Sequence, residues 1–409
     1  MTLYDYQQEL ADKATQILDG SSIVYLALYQ RTGKTPISLT IAKQSGVDDV
    51  LFVTKKKAIS SIQADFEKLG YTYNLDVINY ESLHKVDKKY PLVIVDEAHS
   101  SISGFPKASK SFKQLQRIAY DSQIIFLSGT PTPESYSQLY HQLNISKYSP
   151  FAEYKSFYKW ARDYVDVVQE RRGLYMVNNY SNARKDLIDK ETKHLFLTKT
   201  QEEAGFKCII EEEFIEAKMK PETIKMMKDL AKDRIIVLDD DAIIADTPAK
   251  LSQKMHQLSG GTMKLESGER LILDNSKAIA IKEKFKDKKK LVIFYKFIAE
   301  YEMLKDTFNG EHTSCPDEFR ETDKKVFLAQ YVSGREGINL SSADDIVFYN
   351  LDFSAVSYFQ ARERVSTKQK QHATTLWWVF SDSGFEKKVH KALSSKKDFT
   401  IGYYLKEVS

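Results

Sequence analysis

The chain has 409 residues, 42% of them apolar, and its 60 lysines and arginines nearly balance 57 aspartates and glutamates, leaving a formal charge of +3. That length accommodates two or three ordinary domains and excludes a disordered chain, while the near-neutral balance leaves any nucleic-acid surface to local clusters of charge. Two distant cysteines, Cys208 and Cys315, exclude a disulfide framework or a cysteine zinc site. No apolar run nears the roughly 20 residues of a membrane span, and the start Met1-Thr2-Leu3-Tyr4-Asp5-Tyr6 has no signal core. The expectation is a soluble, cytoplasmic protein that does not engage a membrane.

Residues 1–148 alternate short apolar runs with helical stretches, the pattern of βα units around a parallel sheet. Strands are predicted at Ile23–Leu28, 50–54, 75–80, 92–95 and 124–128. Most are almost wholly apolar, as strands covered on both faces must be. Residues 149–265 break the rhythm with aromatic and charged helical stretches, a hairpin around Arg171-Arg172-Gly173 and an acidic turn at Asp239-Asp240-Asp241. Over 266–409 the βα alternation returns, with strands predicted at Leu291–Tyr295, Val326–Gln330, 346–350 and 374–380. The expected fold class is α/β: two parallel-sheet lobes separated by a largely helical insertion.

The first predicted strand runs into Arg31-Thr32-Gly33-Lys34-Thr35 and then into an apolar helix near Pro36. Strand, loop and helix in that order form a phosphate cradle: Gly33 permits the tight backbone, Lys34 reaches the terminal phosphates, and the Thr35 hydroxyl is suited to magnesium. A full loop of this kind carries glycine at the positions of Leu28 and Arg31. About 60 residues on, the apolar run 92–95 ends in Asp96-Glu97-Ala98-His99. Carboxylates at a strand end lie where phosphates bind in an open sheet, with Asp96 suited to hold magnesium and Glu97 to orient the attacking water. For His99 two readings stand, a coupling to the Ser128-Gly129-Thr130-Pro131 turn or a cap on the strand.

These residues resemble those of the superfamily-two helicases and translocases, in particular the Swi/Snf-like branch and its compact, DEAH-containing versions in phage genomes. Leu3-Tyr4-Asp5-Tyr6-Gln7 resembles the opening element whose glutamine recognises adenine. Arg31 to Thr35 resembles motif I, Val53-Thr54-Lys55-Lys56 motif Ia, Asn79-Tyr80-Glu81-Ser82-Leu83 motif Ib, Asp96 to His99 motif II, and Ser128 to Pro131 motif III. Leu291 to Tyr295 is similar to motif IV, Ser333-Gly334-Arg335-Glu336-Gly337-Ile338-Asn339-Leu340 to motif V, and Gln360-Ala361-Arg362-Glu363-Arg364 to motif VI. Gly384-Phe385-Glu386 falls where that branch starts a late helix.

The resemblance implies two RecA-like lobes of the P-loop NTPase kind, with ATP and magnesium as cofactors and nucleic acid crossing both lobes. It implies nucleotide contacts from Gln7, Arg31, Thr32, Gly33, Lys34, Thr35, Gly337 and Arg364, and catalysis by Lys34, Asp96, Glu97 and Arg364. Thr367 stands where motif VI has a second arginine, the finger that stabilises the transferring phosphoryl group. Arg364 is the best-placed arginine, with Arg362 and Lys368 as stand-ins.

A translocase grips phosphates without reading bases, so lysines and hydroxyls on loops at one sheet edge are the expected contacts. Lys55, Lys56, Lys57 and Ser60 suit this role, as do Tyr80 and Ser333 through the motif match. The hairpin carrying Arg171 and Arg172 reads either as a surface insertion or as a wedge on a duplex. The run 286–290 reads as a solvated helix end or a DNA contact. The partner expected is DNA, single- or double-stranded, ahead of RNA. The protein is expected to be a monomer, with replication or recombination proteins as further partners. An alternative function is an assembly protein that uses ATP as a conformational ligand and hydrolyses it weakly.

Overall fold

The computed structural model describes residues 2–28, 32–172, 175–199, 210–238, 241–287, 290–330, 343, 345–351, 353 and 374–394. The chain divides into two compact units, Met1–Phe206 and Lys207–Ser409. The boundary falls inside the 149–265 stretch that the sequence sets apart.

In the first unit the strands are β1 (Ile23–Leu28), β2 (Asp49–Thr54), β3 (Asn74–Asn79), β4 (Leu92–Asp96), β5 (Gln123–Leu127), a separate hairpin of β6 (Val168–Arg172) and β7 (Tyr175–Asn179), and β8 (Phe196–Lys199). Six of them form one sheet in the order β3-β2-β4-β5-β1-β8. Every pairing in it is parallel. The predicted strands stand within a residue or two at each end. Apolar cores cover both faces of this sheet, which is why Val24, Leu26, Ile94 and Ile125 on one side and Ile23, Tyr25, Val93 and Phe126 on the other are all fully buried. The helix Phe157–Tyr164 drives Phe157 and Trp160 into the second of these cores, so this part of the middle stretch packs on the first sheet.

The second unit contains β9 (Ile210–Ala217), a hairpin of β10 (Ile235–Val237) and β11 (Ala242–Ile244), a second hairpin of β12 (Thr262–Lys264) and β13 (Arg270–Ile272), then β14 (Leu291–Tyr295), β15 (His312–Thr313), β16 (Val326–Gln330), β17 (Asp345–Phe348) and β18 (Thr374–Ser381). Its sheet runs β15-β16-β14-β17-β18-β9, again parallel at every pairing. Met227 and Leu251, from the helices Pro221–Asp233 and Pro248–Ser259, join the core on one face of this sheet. Two parallel six-stranded sheets with helices on both faces are the two RecA-like α/β lobes expected. Among the described residues, no helix is long and apolar enough to cross a membrane.

Candidate functional site

Gly33 caps the helix Lys34–Gln44 with φ 88° and ψ 39°, a left-handed backbone that glycine adopts without a steric cost. The loop is clamped from the N-terminal helix Asp5–Ser21. Nε2 of Gln7 donates to the Thr32 carbonyl at 3.1 Å and the Tyr6 hydroxyl donates to the same oxygen at 2.8 Å. Oε1 of Gln7 accepts from the Tyr4 amide at 3.0 Å, so this side chain, 3% exposed, is bound at both ends of its amide. The structure thus places Gln7 against the phosphate loop, with its amide engaged by Thr32 and Tyr4. Tyr6, which the motif reading left without a task, shares the load.

Lys34 opens its helix, and Nζ donates to the carbonyl of Leu28 at the end of β1, 2.9 Å away. Thr35 follows it, half-buried. β4 brings Asp96 to the same sheet edge, two strands from β1 with β5 between them. Asp96 is half-buried and stands beside Glu97, and the loss of solvent and that neighbouring charge push its carboxyl above the usual carboxylate range; a hydrogen bond from Thr54 Oγ1 at 2.8 Å and the charges of Lys34 and Lys55 oppose them. The lysine of the loop and the strand-end carboxylate, 62 positions apart in the numbering, thus lie along one edge of the same sheet.

Glu97 has φ 51° and ψ 41°, an uncommon left-handed geometry for a residue with a side chain. The turn is held by its amide, which donates to the Leu127 carbonyl at 2.9 Å. Oε2 of Glu97 is buried and has no hydrogen-bond partner; it faces Nε2 of His99 at 3.4 Å. Nδ1 of His99 meets Ser128 Oγ at 2.7 Å, and that oxygen accepts from the Thr130 amide at 3.0 Å. His99 therefore couples the carboxylates to the Ser128–Pro131 turn, the first of its two sequence readings. Burial holds its imidazole neutral, with Lys55 and Lys34 acting in the same direction and Glu97 against it.

These residues fit ATP with magnesium. Asp96 and Thr35 offer the oxygens a hard cation takes beside phosphate, and Glu97 stands next to them with Oε2 buried against His99. Among the described residues no cluster of three or more His, Cys, Asp or Glu side chains could hold a metal by itself.

Tyr80 differs from its expected place. It is 3% exposed, and its hydroxyl donates to the Asp96 carbonyl. Its role shifts from touching a strand to supporting the carboxylate turn. Thr54, read as part of a backbone-contacting motif, also turns inward to Asp96: it ends β2, the strand beside β4, while Tyr80 follows β3, one strand further out. Lys55 is half-buried just past β2, while Lys56, Lys57 and Ser60 are exposed. Arg171 lies exposed on β6 and Arg172 closes the β6–β7 ladder opposite Tyr175. Arg31, Ser333, Gly337 and Arg364, with the stand-ins Arg362 and Lys368, lie outside the described residues.

Residues 28–188 match the model of the SNF2-related domain. The ISWI chromatin-remodeling complex ATPase ISW2 of Saccharomyces cerevisiae is 18% identical over 358 residues, covering 82% of this chain and 31% of the relative. The SWI/SNF-related matrix-associated actin-dependent regulator of chromatin subfamily A-like protein 1 of Xenopus tropicalis is 23% identical over 323 residues, 71% of this chain and 31% of the relative. The chain thus spans about a third of the length of these relatives. In fold, it is similar to the Hef helicase domain of Pyrococcus furiosus, with a TM-score of 0.52 at 12% identity over 96% of this chain and 98% of that one. It is similar also to the ATP-dependent Type ISP restriction-modification enzyme LlaBIII, with a TM-score of 0.52 at 12% identity over 93% of this chain and 28% of that one. Through the match of residues 28–188 to the SNF2-related domain, on a fold of two RecA-like lobes, the chain is similar to the Swi/Snf-like ATPases of superfamily two.

Proposed function

We propose that the protein is a DNA-dependent ATPase that couples hydrolysis to movement along DNA. The observation that carries this reading is the placement of Lys34, bound to the end of β1, and of the Asp96-Glu97 pair, at the end of β4, along one edge of one parallel sheet. The names of its relatives, ATPases of chromatin-remodelling complexes, and the DNA bound to the restriction enzyme of similar fold favour DNA over RNA.

In this reading the amides at the start of the helix Lys34–Gln44 and the Lys34 ammonium bind the phosphates. Magnesium, held by Thr35 and Asp96, supplies neutralisation of phosphate charge. Glu97 orients the attacking water, and Gln7 and Tyr6 fix the loop against which the nucleotide rests. His99 passes the state of Glu97 to the Ser128–Pro131 turn. Lys55, Lys56, Lys57 and Arg171 grip DNA phosphates. Arg364 supplies the remote positive charge. A place in phage replication or recombination is the pathway that the compact form of the family suggests.

ATP turnover measured with no polymer, with single- and double-stranded DNA, and with RNA tests the proposal. DNA should stimulate turnover, and Lys34→Ala or Glu97→Gln should reduce it by about a hundredfold or more. Turnover indifferent to DNA overturns it. Thr367, in the place of the second motif VI arginine, favours a second reading, an assembly protein that binds ATP and hydrolyses it weakly. Brisk turnover abolished by Arg364→Ala disposes of that reading.

A further inference from the structure

The second unit carries a cavity of about 210 Å³ at the carboxyl edge of its sheet, where Lys296 follows β14 and Gln330 ends β16. Ligands of open parallel sheets bind outside that edge. Lys264 and Arg270, from β12 and β13, both line the cavity and stand directly opposite one another in the ladder of their hairpin. Residues so paired share one face with Cβ atoms about 5 Å apart, and like charges there repel. Both are exposed, and among the described residues neither side chain makes an ion pair or a hydrogen bond. No carboxylate is among the described residues that line the cavity.

Two further sets of donors open on the same space. The helix Ile298–Thr307 begins there, with Ile298 and Ala299 in the cavity wall. Glu300, fully buried, accepts from the amides of Lys296 and Phe297 at 2.8 and 2.9 Å and from Nδ2 of Asn350 at 2.5 Å. That leaves the amides of Ile298 and Ala299 without an acceptor among the described residues, at a helix N-terminus, where the backbone favours an anion. Gln257 is 5% exposed and also lines the cavity. Its Oε1 accepts from the Lys264 amide at 3.0 Å, while Nε2 has no acceptor among the described residues and is not sealed from solvent.

The volume suits one phosphate and is smaller than the usual small-molecule site, so the anion it fits is one group of something larger. Donors from the hairpin, the helix and Gln257 approach from different directions, as a tetrahedral phosphate needs and a planar carboxylate does not. Ile272, two residues beyond Arg270 on the same face of β13, and Ile298 are 46% and 50% exposed, apolar flanks for the sugars on either side of a phosphodiester. We propose that this cavity seats one backbone phosphate of a DNA strand, held by Lys264, Arg270, Gln257 Nε2 and the amides of Ile298 and Ala299, which rests on the reading of the protein as a DNA-dependent ATPase. The seat reads no base, and the entering phosphate relieves the repulsion between Lys264 and Arg270.

The test uses the full chain without ATP. Labelled single-stranded and duplex DNA are followed by fluorescence anisotropy across about 50 to 200 mM salt. The proteins are the wild type, the Lys264→Ala/Arg270→Ala double variant, Gln257→Glu and, as a control, Lys305→Ala, an exposed lysine near the far end of the same helix. The double variant should bind about tenfold or more weakly, with a salt dependence shallower by about one to two phosphate contacts, while its unfolding midpoint stays level or rises because a repelling pair has gone. A merely structural pair would lower both affinity and midpoint. Gln257→Glu keeps the bond to the Lys264 amide and turns the free donor into an anionic oxygen, so it should weaken binding severalfold. Lys305→Ala should bind as the wild type does. A wild type that binds neither DNA sinks the ATPase reading and this seat with it, whereas wild-type binding left unchanged by the double variant and by Gln257→Glu overturns the seat alone. An equal loss in Lys305→Ala, which is general attraction, also overturns it, as does an equal loss on a labelled polyglutamate peptide, which identifies an acidic partner.

Discussion

A Cβ added at Gly33 would stand 2.1 Å from Nε2 of Gln7, the atom that holds the Thr32 carbonyl. Gly33→Ala therefore meets two penalties, a left-handed backbone and a displaced glutamine. It should lower stability by about 1–2 kcal/mol, read as a fall in unfolding midpoint, and weaken ATP binding measured by calorimetry. His141 has a different sensitivity. It is 4% exposed, Nδ1 meets the Gly104 carbonyl at 2.7 Å, and burial pushes its pKa down to about 4 from 6.5. The unfolded state thus binds the proton that the folded state refuses. Stability from this group is full above pH 6.5 and drains away as pH falls toward 4, by up to about 3 kcal/mol. Denaturant titrations between pH 7 and 4.5 should show a steeper loss in the wild type than in His141→Gln.

The hairpin β6–β7 is an element with a fixed root and an uncovered body. Ser135 Oγ donates to the Ser181 carbonyl at 2.7 Å and Ser137 Oγ to the Tyr180 carbonyl at 2.6 Å, which pins its return to the segment after β5. Val168, Tyr175, Met176 and Val177 are each 40% or more exposed. Replacing residues 169–178 by a short turn should change unfolding of the first unit by less than about 1 kcal/mol, since little apolar area is withdrawn from water there. The same deletion should weaken DNA binding measured by anisotropy, through loss of Arg171. This hairpin was legible in the sequence because Arg171-Arg172-Gly173 separates two β-rich runs. The phosphate loop and the Asp96-Glu97 turn were legible because buried parallel strands announce themselves as apolar runs with chemistry at their ends. The outer strands β8 and β9 were not. Phe196-Leu197-Thr198-Lys199 is too short to show a period, and the acidic run Glu211-Glu212-Glu213 in β9 reads as a solvated helix face, as the sequence of an edge strand facing water can. The inward turns of Tyr80 and Thr54 had no sequence signal either, because a hydroxyl aimed at a carboxylate and one aimed at a strand look alike in one dimension.

At the scale of the molecule, the two units keep separate cores: no apolar cluster among the described residues draws on both. The second unit is tied internally by Lys277, fully buried, whose Nζ donates to Glu386 Oε1 at 3.0 Å and to the Tyr349 carbonyl at 2.7 Å. Ser381 Oγ donates to the other oxygen of Glu386 at 2.6 Å. Lys277→Met strands a buried carboxylate and should cost the second unit about 3–5 kcal/mol. Hydrogen exchange resolved by peptide should show that loss in residues of β14, β17 and β18 and leave β1, β4 and β5 protected as before.

The parallel pairing of β8 with β1 has a mechanical consequence. Lys199, the last described residue before the backbone passes to the second unit, is in register with Leu28, whose carbonyl receives the Lys34 ammonium. The backbone that leaves this sheet toward the second unit therefore starts from the strand next to the one that Lys34 contacts. A change in the Lys34–Leu28 contact would thus fall on the β1 rung that is shared with Lys199.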